Sequence, residues 1–345
     1  MVEYANQSTV STCPVCNGND ILKLYSVTSG EAAQHFVRKE ADHKRFTTLV
    51  GNIEKLWRKD SCNVNRCNSC NFCYADPYVS GDYDFYTTAH PRHGYPKWKW
   101  ENQVTLDSVT DYVKELDVDK CWLLEIGAGN GAFVRRVKDV IPVEHIVCTE
   151  YSDYGVGRIR EIGAECVCGD VRELDEKYNN RFSFVCLFQV LEHLDGLDRL
   201  FRKITSLTTD NAKLFIAVPN DKFIEFCETN EALLDMPPNH IGRWNPDAFK
   251  VFADKHGWRI VSHVYQPSEN VLDMANRFCV YRYLKESQKS GTVANYIERI
   301  SNRYIRFALT QVVSKFYGLS SLPVFIRALS KEYGMAQWVC LEKKR

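Results

Sequence analysis

The sequence predicts an α/β protein whose mostly parallel sheet carries helices on both faces, preceded by a small cysteine-rich domain. Three observations predict it. From about Asn102 onward, short apolar runs alternate with stretches of helical periodicity, and repeated β-α units wind into a parallel sheet. A glycine-rich loop, Gly127-Ala-Gly-Asn-Gly131, ends the first such run and opens the next helix. Two Cys-x-x-Cys pairs, Cys13/Cys16 and Cys67/Cys70, stand ahead of the alternation.

The 345 residues suggest about two domains at roughly 150 residues each. With 45% apolar, 12% aromatic and 26% charged residues, the chain can build a sizeable core, which excludes disorder, collagen and coiled coil. The 44 basic and 44 acidic side chains cancel, so no whole-chain electrostatic grip on nucleic acid or an acidic membrane is expected. No apolar run approaches the roughly 18 residues of a membrane span, and no membrane insertion is expected. Met1 to Thr12 is polar and lacks the apolar core of a secretory signal, so a cytoplasmic location is expected. Six of the fourteen cysteines precede residue 74. In a reducing compartment such clustering reads as metal ligation rather than disulfides.

The elements follow in order. Between the cysteine pairs, Ala32, Ala33, Phe36 and Val37, then Leu49, Ile53, Leu56 and Trp57, recur at helical spacing and predict a helical arm. Tyr78 to Trp100 is aromatic and rich in turn residues, an ordered connector or lid rather than a flexible linker. Val104, Leu106, Val109, Val113 and Leu116 make one helical face. Strands are expected at Cys121 to Ile126, His145 to Thr149, Cys166 to Cys168 and Phe182 to Val190. Helices are expected from Phe133 to Ile141 and from Leu197 to Leu207, the latter capped by Asp195. A strand follows over Lys213 to Val218. Asn245-Pro246 starts a helix that Gly257 ends, and Arg259 to Val264 is a strand. Residues 280–333 read as largely helical, and Met335 to Leu341 as a last strand. The domain boundaries are therefore placed at 1–77, 78–101 (the connector), 102–275, 276–333 (a helical insertion) and 334–345.

The segment Leu123-Leu-Glu-Ile-Gly-Ala-Gly-Asn-Gly-Ala132 carries the most information. Its glycines allow a tight turn and a close backbone approach to a ligand beside the positive end of a helix. Gly-x-Gly-x-x-Ala also fits a dinucleotide fingerprint, which would imply NAD. An acidic residue two before the first glycine, here Glu125, is instead the pattern of an adenosylmethionine loop. Two later acids favour that reading: Glu150 at the end of the next strand, where a carboxylate can accept both ribose hydroxyls, and Asp170 after the third, placed to meet an adenine amino group. The segment resembles motif I of class I S-adenosylmethionine-dependent methyltransferases, and the resemblance covers residues 102–265 and the last strand. Phe188-Gln-Val-Leu-Glu-His-Leu194, Phe215-Ile-Ala-Val-Pro-Asn220 and Pro237-Pro-Asn-His240 with Trp244 and Phe249 extend it to the branch containing ubiquinone-biosynthesis O-methyltransferases. The resemblance implies a Rossmann-like seven-stranded sheet with a reversed last hairpin. It also implies that Gly127, Ala128 and Gly129 line the methionine and ribose, Glu150 binds the ribose, Asp170 and Val171 hold the adenine, and Gln189 lies beside the sulfonium.

Four thiolates in two knuckles can close a tetrahedral zinc site, because a two-residue spacer bends both sulfurs of a pair toward one ion. Cys13, Cys16, Cys67 and Cys70 are the expected ligands, with Cys62 and Cys73 flanking the second pair. The fifty-residue gap exceeds the roughly 15–20 of a zinc ribbon, so the arm must loop out between them. A closed four-sulfur site is structural. A zinc-knuckle domain joined to this branch resembles the sugar C-methyltransferases acting on nucleotide-linked deoxysugars, and is similar to methyltransferases of surface-glycan pathways. In that family an aromatic element after the zinc domain reaches the active site. Tyr83-Asp-Phe-Tyr86 matches it loosely, and Tyr86 is the ring expected at the ligand.

Methyl transfer is an in-line displacement that needs an aligned acceptor and, for a hydroxyl or carbon acid, a base. His193, after the fourth strand, is the expected base, and Glu192 can orient it. The resemblance likewise places the Glu-His pair at the acceptor. His240 is a second candidate, in a loop expected to fold over the site. His90, Arg92 and His93 read as a solvated turn, with anion binding as the alternative, and Tyr95, Trp98 and Trp100 as packing. The expected function is methylation of a small polar acceptor, a sugar or nucleotide-linked sugar. An RNA methyltransferase gripping RNA through the zinc knuckles, and a non-catalytic scaffold binding adenosylmethionine, are the alternatives. No nucleic-acid partner is expected, and residues 293–333 offer a surface for an oligomer.

Overall fold

A computed structural model describes residues 12–90, 98–229, 237–267, 271–319 and 334–344. The N-terminal part runs β1 (Ile21–Thr28), α1 (Ser29–Phe36), α2 (His43–Trp57), β2 (Ser61–Cys67), β3 (Cys73–Asp76) and α3 (Tyr83–Ala89). The two arm helices are where the spacing predicts them. Thr28 caps α1 in a capping box with Glu31, and Asp42 caps α2. Their apolar faces meet around Ala32, Ala33, Leu49, Ile53 and Trp57, packed over Val64 and Phe85. The sheet beneath them, β1-β2-β3, is antiparallel and was not expected from the sequence.

The central part runs α4 (Trp100–Val113), β4 (Leu123–Ile126), α5 (Val134–Val137), β5 (Ile146–Glu150), α6 (Asp153–Arg160), β6 (Glu165–Cys168), β7 (Phe182–Phe188), α7 (Leu197–Leu207) and β8 (Thr208–Pro219). After α8 (Asp221–Thr229) come β9 (Gly242–Arg243), α9 (Pro246–Lys255), β10 (Trp258–Tyr265), α10 (Val271–Gln288), α11 (Val293–Glu298), α12 (Arg303–Leu319) and β11 (Ala336–Lys343). Seven strands form one sheet in the order β10-β11-β8-β7-β4-β5-β6. The pairs β4-β5, β4-β7, β5-β6 and β7-β8 are parallel. Between β10 and β11, Lys344 N donates to Gly257 O and Gln266 N to Ala336 O, so that pair runs antiparallel. The expected Rossmann-like sheet with its reversed hairpin is the sheet observed.

Apolar side chains cover both faces. One layer gathers Leu124, Val185, Ile216, Leu200, Phe201 and Trp258. The other gathers Leu123, Phe133, Val134, Phe184, Phe215 and Trp338. Alternate residues of each central strand thus enter opposite layers, as a parallel sheet buried on both faces requires.

Two local expectations are corrected. Phe133 to Ile141 is not one regular helix: its backbone bonds alternate between three- and four-residue spans, and only Val134–Val137 is α-helical. Asp195 does not cap α7. The cap position falls on Gly196 in a left-handed conformation, with no side-chain bond. The Asp195 carboxylate turns instead to Ser80 N at 3.0 Å.

The chain divides into two compact units. The first holds residues 1–218, 236–263 and 338–345, and every candidate site residue lies in it. The second holds residues 219–235 and 264–337. Inside it α10, α11 and α12 pack around Tyr283, Ala294 and Ile297. Residues 320–333, part of the expected helical insertion, lie outside the described residues, as do Arg92, His93 and Tyr95. Among the described residues no helix is long and apolar enough to cross a membrane.

Candidate active site

Strand β4 is Leu-Leu-Glu-Ile with every residue buried, so its one charged side chain, Glu125, enters the protein interior. The chain leaves β4 through Gly127, Gly129 and Gly131, all at positive φ (69°, 57° and 73°). Side chains rarely adopt this conformation, which is why glycines recur here. At Gly127 a Cβ would also lie 2.6 Å from Val190 Cγ2. Gly127 N and Ala128 N both donate to Thr149 O, at 2.9 and 3.1 Å, fastening the loop to β5. Glu150, the next residue of β5, accepts from Gly129 N at 2.8 Å and Ser152 N at 3.0 Å. Burial raises its proton affinity, and these amide bonds pull it back.

A cavity of about 220 Å³ opens over the loop. Gly127, Ala128, Gly129, Glu150 and Gln189 line it, with Glu125 at its base. Glu125 is 4% exposed, and its Oε2 is buried without a hydrogen-bond partner. Burial first, and the Glu150 charge second, push its pKa up to about 8. A buried carboxylate with an orphaned oxygen at a cavity lined by the glycine loop fits a ligand bringing a donor or a positive charge. The ammonium of adenosylmethionine is such a group; Asp170 and Val171 are not among the residues that line this cavity.

The sequence reading missed Glu101 and Arg172. Glu101, in the first turn of α4, is 2% exposed and accepts from Gln189 Nε2 at 3.2 Å. Gln189 is held at φ 57° by its amide bond to Ala217 O. Arg172 lies in a 3-10 turn after β6 and clasps Asp170 through its backbone N (2.8 Å) and Nε (2.9 Å), while Tyr151 Oη donates to the same carboxylate at 2.8 Å. Burial would raise the Asp170 pKa, but the Arg172 bonds outweigh it and hold it below its usual range. Arg172 Nη1 also donates to Asp195 O at 3.0 Å. Val171 is buried in the same turn.

Past β7 the chain makes a 3-10 turn over Leu191–His193. His193 Nδ1 lies 2.6 Å from Asn239 O and 3.4 Å from Tyr86 Oη, and its Nε2 lies 3.8 Å from Glu192 Oε1. A carbonyl only accepts, so Nδ1 carries the proton and the lone pair of the neutral ring is on Nε2. The His240 ring meets His193 edge to face, with centroids 4.8 Å apart. The 239–243 segment is pinned from two sides. Ile241 N donates to Glu192 O at 2.9 Å and Ile241 O accepts from Ala75 N at 2.9 Å. The short β9 then adds a fourth strand beside β3. Glu192, His193, His240 and Tyr86 are thereby gathered at one place. Burial and the Glu192 charge raise the Tyr86 pKa. His90 is exposed, with its ring against Phe36 and stacked on Tyr86, and Trp98 stacks on Phe133 under Arg136.

The four knuckle cysteines also converge. Cys13 and Cys70 sulfurs are 3.6 Å apart, Cys16 and Cys67 3.5 Å, and all four lie within 4.8 Å of one another. Tetrahedral zinc with bonds of about 2.3 Å needs sulfurs roughly 3.8 Å apart. Both knuckles turn alike: Asn17 and Asn71 follow the second cysteine at φ 60° and 58°, and each donates its amide to the first cysteine's carbonyl. Cys62 and Cys73 are outside this cluster.

Residues 98–263 match the model of a family described as a methyltransferase domain. They form a class I methyltransferase domain. No sequence among curated proteins matches the chain. Solved structures similar to it include a SAM-dependent methyltransferase from Archaeoglobus fulgidus (17% identity, 70% of this chain and 94% of that one, TM-score 0.42). A putative sarcosine dimethylglycine methyltransferase from Galdieria sulphuraria gives 13% identity, 70% and 86% coverage and a TM-score of 0.42. Coclaurine N-methyltransferase, bound to N-methylheliamine and SAH, gives 15%, 70%, 70% and 0.41.

Proposed function

We propose that this methyltransferase transfers the methyl group of S-adenosylmethionine to a small polar acceptor, a sugar or nucleotide-linked sugar. The observation that carries the reading is the gathering of Glu192, His193, His240 and Tyr86 a few residues beyond Gln189, at the carboxyl edge of β7 where open α/β sheets bind ligands. The net charge of zero agrees with a small acceptor rather than RNA.

When bound, the sulfonium supplies an activated methyl group. Glu125 would face the ammonium, Glu150 the ribose hydroxyls, and Asp170 the adenine, with Arg172 keeping that carboxylate ionised and fixed. His193 takes the acceptor proton on Nε2, because the bond to Asn239 O holds the other nitrogen protonated. Glu192, 1% exposed, stabilises the imidazolium that results. Tyr86 packs against the His193 ring and excludes water on the connector side. Zinc at Cys13, Cys16, Cys67 and Cys70 would staple the N-terminal sheet and so position Ala75, which holds the 239–243 segment.

The test is transfer of labelled methyl from adenosylmethionine to a panel of nucleotide sugars and, separately, to RNA. Label in the sugar fraction is expected. His193→Ala should lower the rate ~10²–10⁴-fold with S-adenosylhomocysteine affinity unchanged. Label entering RNA instead would overturn the acceptor assignment. Tight cofactor binding with no transfer to either would favour a scaffold.

A further inference from the structure

We propose that Glu192, His193 and His240 hold a divalent transition-metal ion, of the Zn²⁺, Fe²⁺ or Mn²⁺ kind, at the acceptor end of the site. One carboxylate and two imidazoles place their ligand atoms within 4.8 Å of one another. That donor set leaves coordination positions open on the ion, and its two imidazoles select against Mg²⁺ and Ca²⁺.

A second observation is independent of the clustering. The His193 Nδ1–H is committed to Asn239 O at 2.6 Å, which leaves Nε2, 3.8 Å from Glu192 Oε1, as the ring nitrogen able to ligate an ion. A ring N–H given to a backbone carbonyl is also how metal-bound histidines are oriented. His240 is fixed in place by both its neighbours: Asn239 bonds to His193, and Ile241 to Glu192. Neighbouring ligands at about 2.0–2.2 Å from an ion lie roughly 3–3.5 Å apart, so binding draws the three donors together by about 1 Å or so through side-chain rotation.

The ion's task rests on the methyl-transfer reading; its presence does not. Held by three protein donors, it offers an open position to an acceptor hydroxyl. It lowers the pKa of that hydroxyl, whose proton then leaves to solvent water. The ion-free site keeps His193 as the proton acceptor; in the ion-loaded site His193 Nε2 is a ligand and the ion takes over the activation of the hydroxyl.

The test is equilibrium dialysis of the full chain against Zn²⁺ or Mn²⁺, with bound ions counted by native mass spectrometry. Wild type is expected to carry one ion more per chain than Glu192→Gln and His240→Ala, while Cys67→Ser retains that additional ion. Unchanged affinity for S-adenosylhomocysteine in both triad variants shows that they fold. Equal ion counts in wild type and the two triad variants would overturn the site. So would an additional ion lost only in Cys67→Ser. A triad ion without methyl transfer to any acceptor would sink the sugar reading and leave the metal site standing, whereas equal ion counts together with methyl transfer to a sugar would do the reverse.

Discussion

Removing the charge at position 125 should change how stability depends on pH. Glu125 is 4% exposed with an orphaned Oε2, and its pKa rises from an ordinary 4.5 to about 8. Between those values the folded chain holds a proton that the unfolded chain has released. Stability therefore falls as pH rises, at up to about 1.4 kcal/mol per pH unit, and the full difference from below pH 4.5 to above pH 8 is about 5 kcal/mol. Glu125→Gln keeps the shape and cannot ionise, so it should lack this slope and be more stable than wild type above pH 8 in the absence of cofactor. Urea unfolding at a series of pH values, read as the difference between the two proteins, isolates the term because the other titrating groups are common to both. Parallel curves would show that Glu125 titrates normally and refute its assignment as a buried acid awaiting a cationic partner. With S-adenosylhomocysteine present the wild-type slope should shrink, since an ammonium beside the carboxylate lowers its pKa.

Three further outcomes are expected. Glu150→Ala should weaken S-adenosylhomocysteine binding by ~1.5–3 kcal/mol, because a ribose diol loses a charged acceptor; unchanged affinity by calorimetry would count against the ribose assignment. Arg172→Ala should weaken the same binding by roughly 10- to 100-fold, as Asp170 and the Asp195 carbonyl lose their common donor; an effect on thermal stability alone would confine Arg172 to a structural role. Cys67→Ser should lower zinc content and loosen the segment from Cys13 to Asp76, read by metal analysis and proteolysis; full zinc in that variant would sink the four-cysteine site.

The glycine loop, the parallel sheet and the helix from Pro246 were legible because each depends on local rules: φ above zero, apolar runs, and a proline in the first turn of a helix. The antiparallel N-terminal sheet was not. Strand β2 is Ser-Cys-Asn-Val-Asn-Arg-Cys, whose alternation is short and has Val64 as its one aliphatic residue, and β9 is two residues delivered from a segment well over a hundred residues later. Their pairing is decided by the cysteine knuckles and by tertiary contact. Glu101 drew no notice in the sequence, and only the fold reveals it as the buried partner of Gln189. Arg172 escaped notice because residues two apart face each other only in the tight turn that follows β6. The gathering of His193 and His240 was expected from resemblance, but the clamp that makes it, Asn239 and Ile241 bonded to consecutive residues, has no sequence signal.

Asp195 illustrates how a broken local rule marks a site. As a cap it would contribute about 1 kcal/mol to α7. Instead its backbone N–H donates to Ser80 Oγ at 2.7 Å, its carboxylate accepts from Ser80 N, and its carbonyl accepts from Arg172. Tyr78 Oη, two residues earlier on the connector, donates to Leu194 O. These bonds outweigh the lost cap, and they join the carboxylate assigned to adenine, through Arg172, to the base of the segment that carries Tyr86. A cofactor whose adenine met Asp170 would therefore share one hydrogen-bonded junction with the connector, through Arg172 and Asp195.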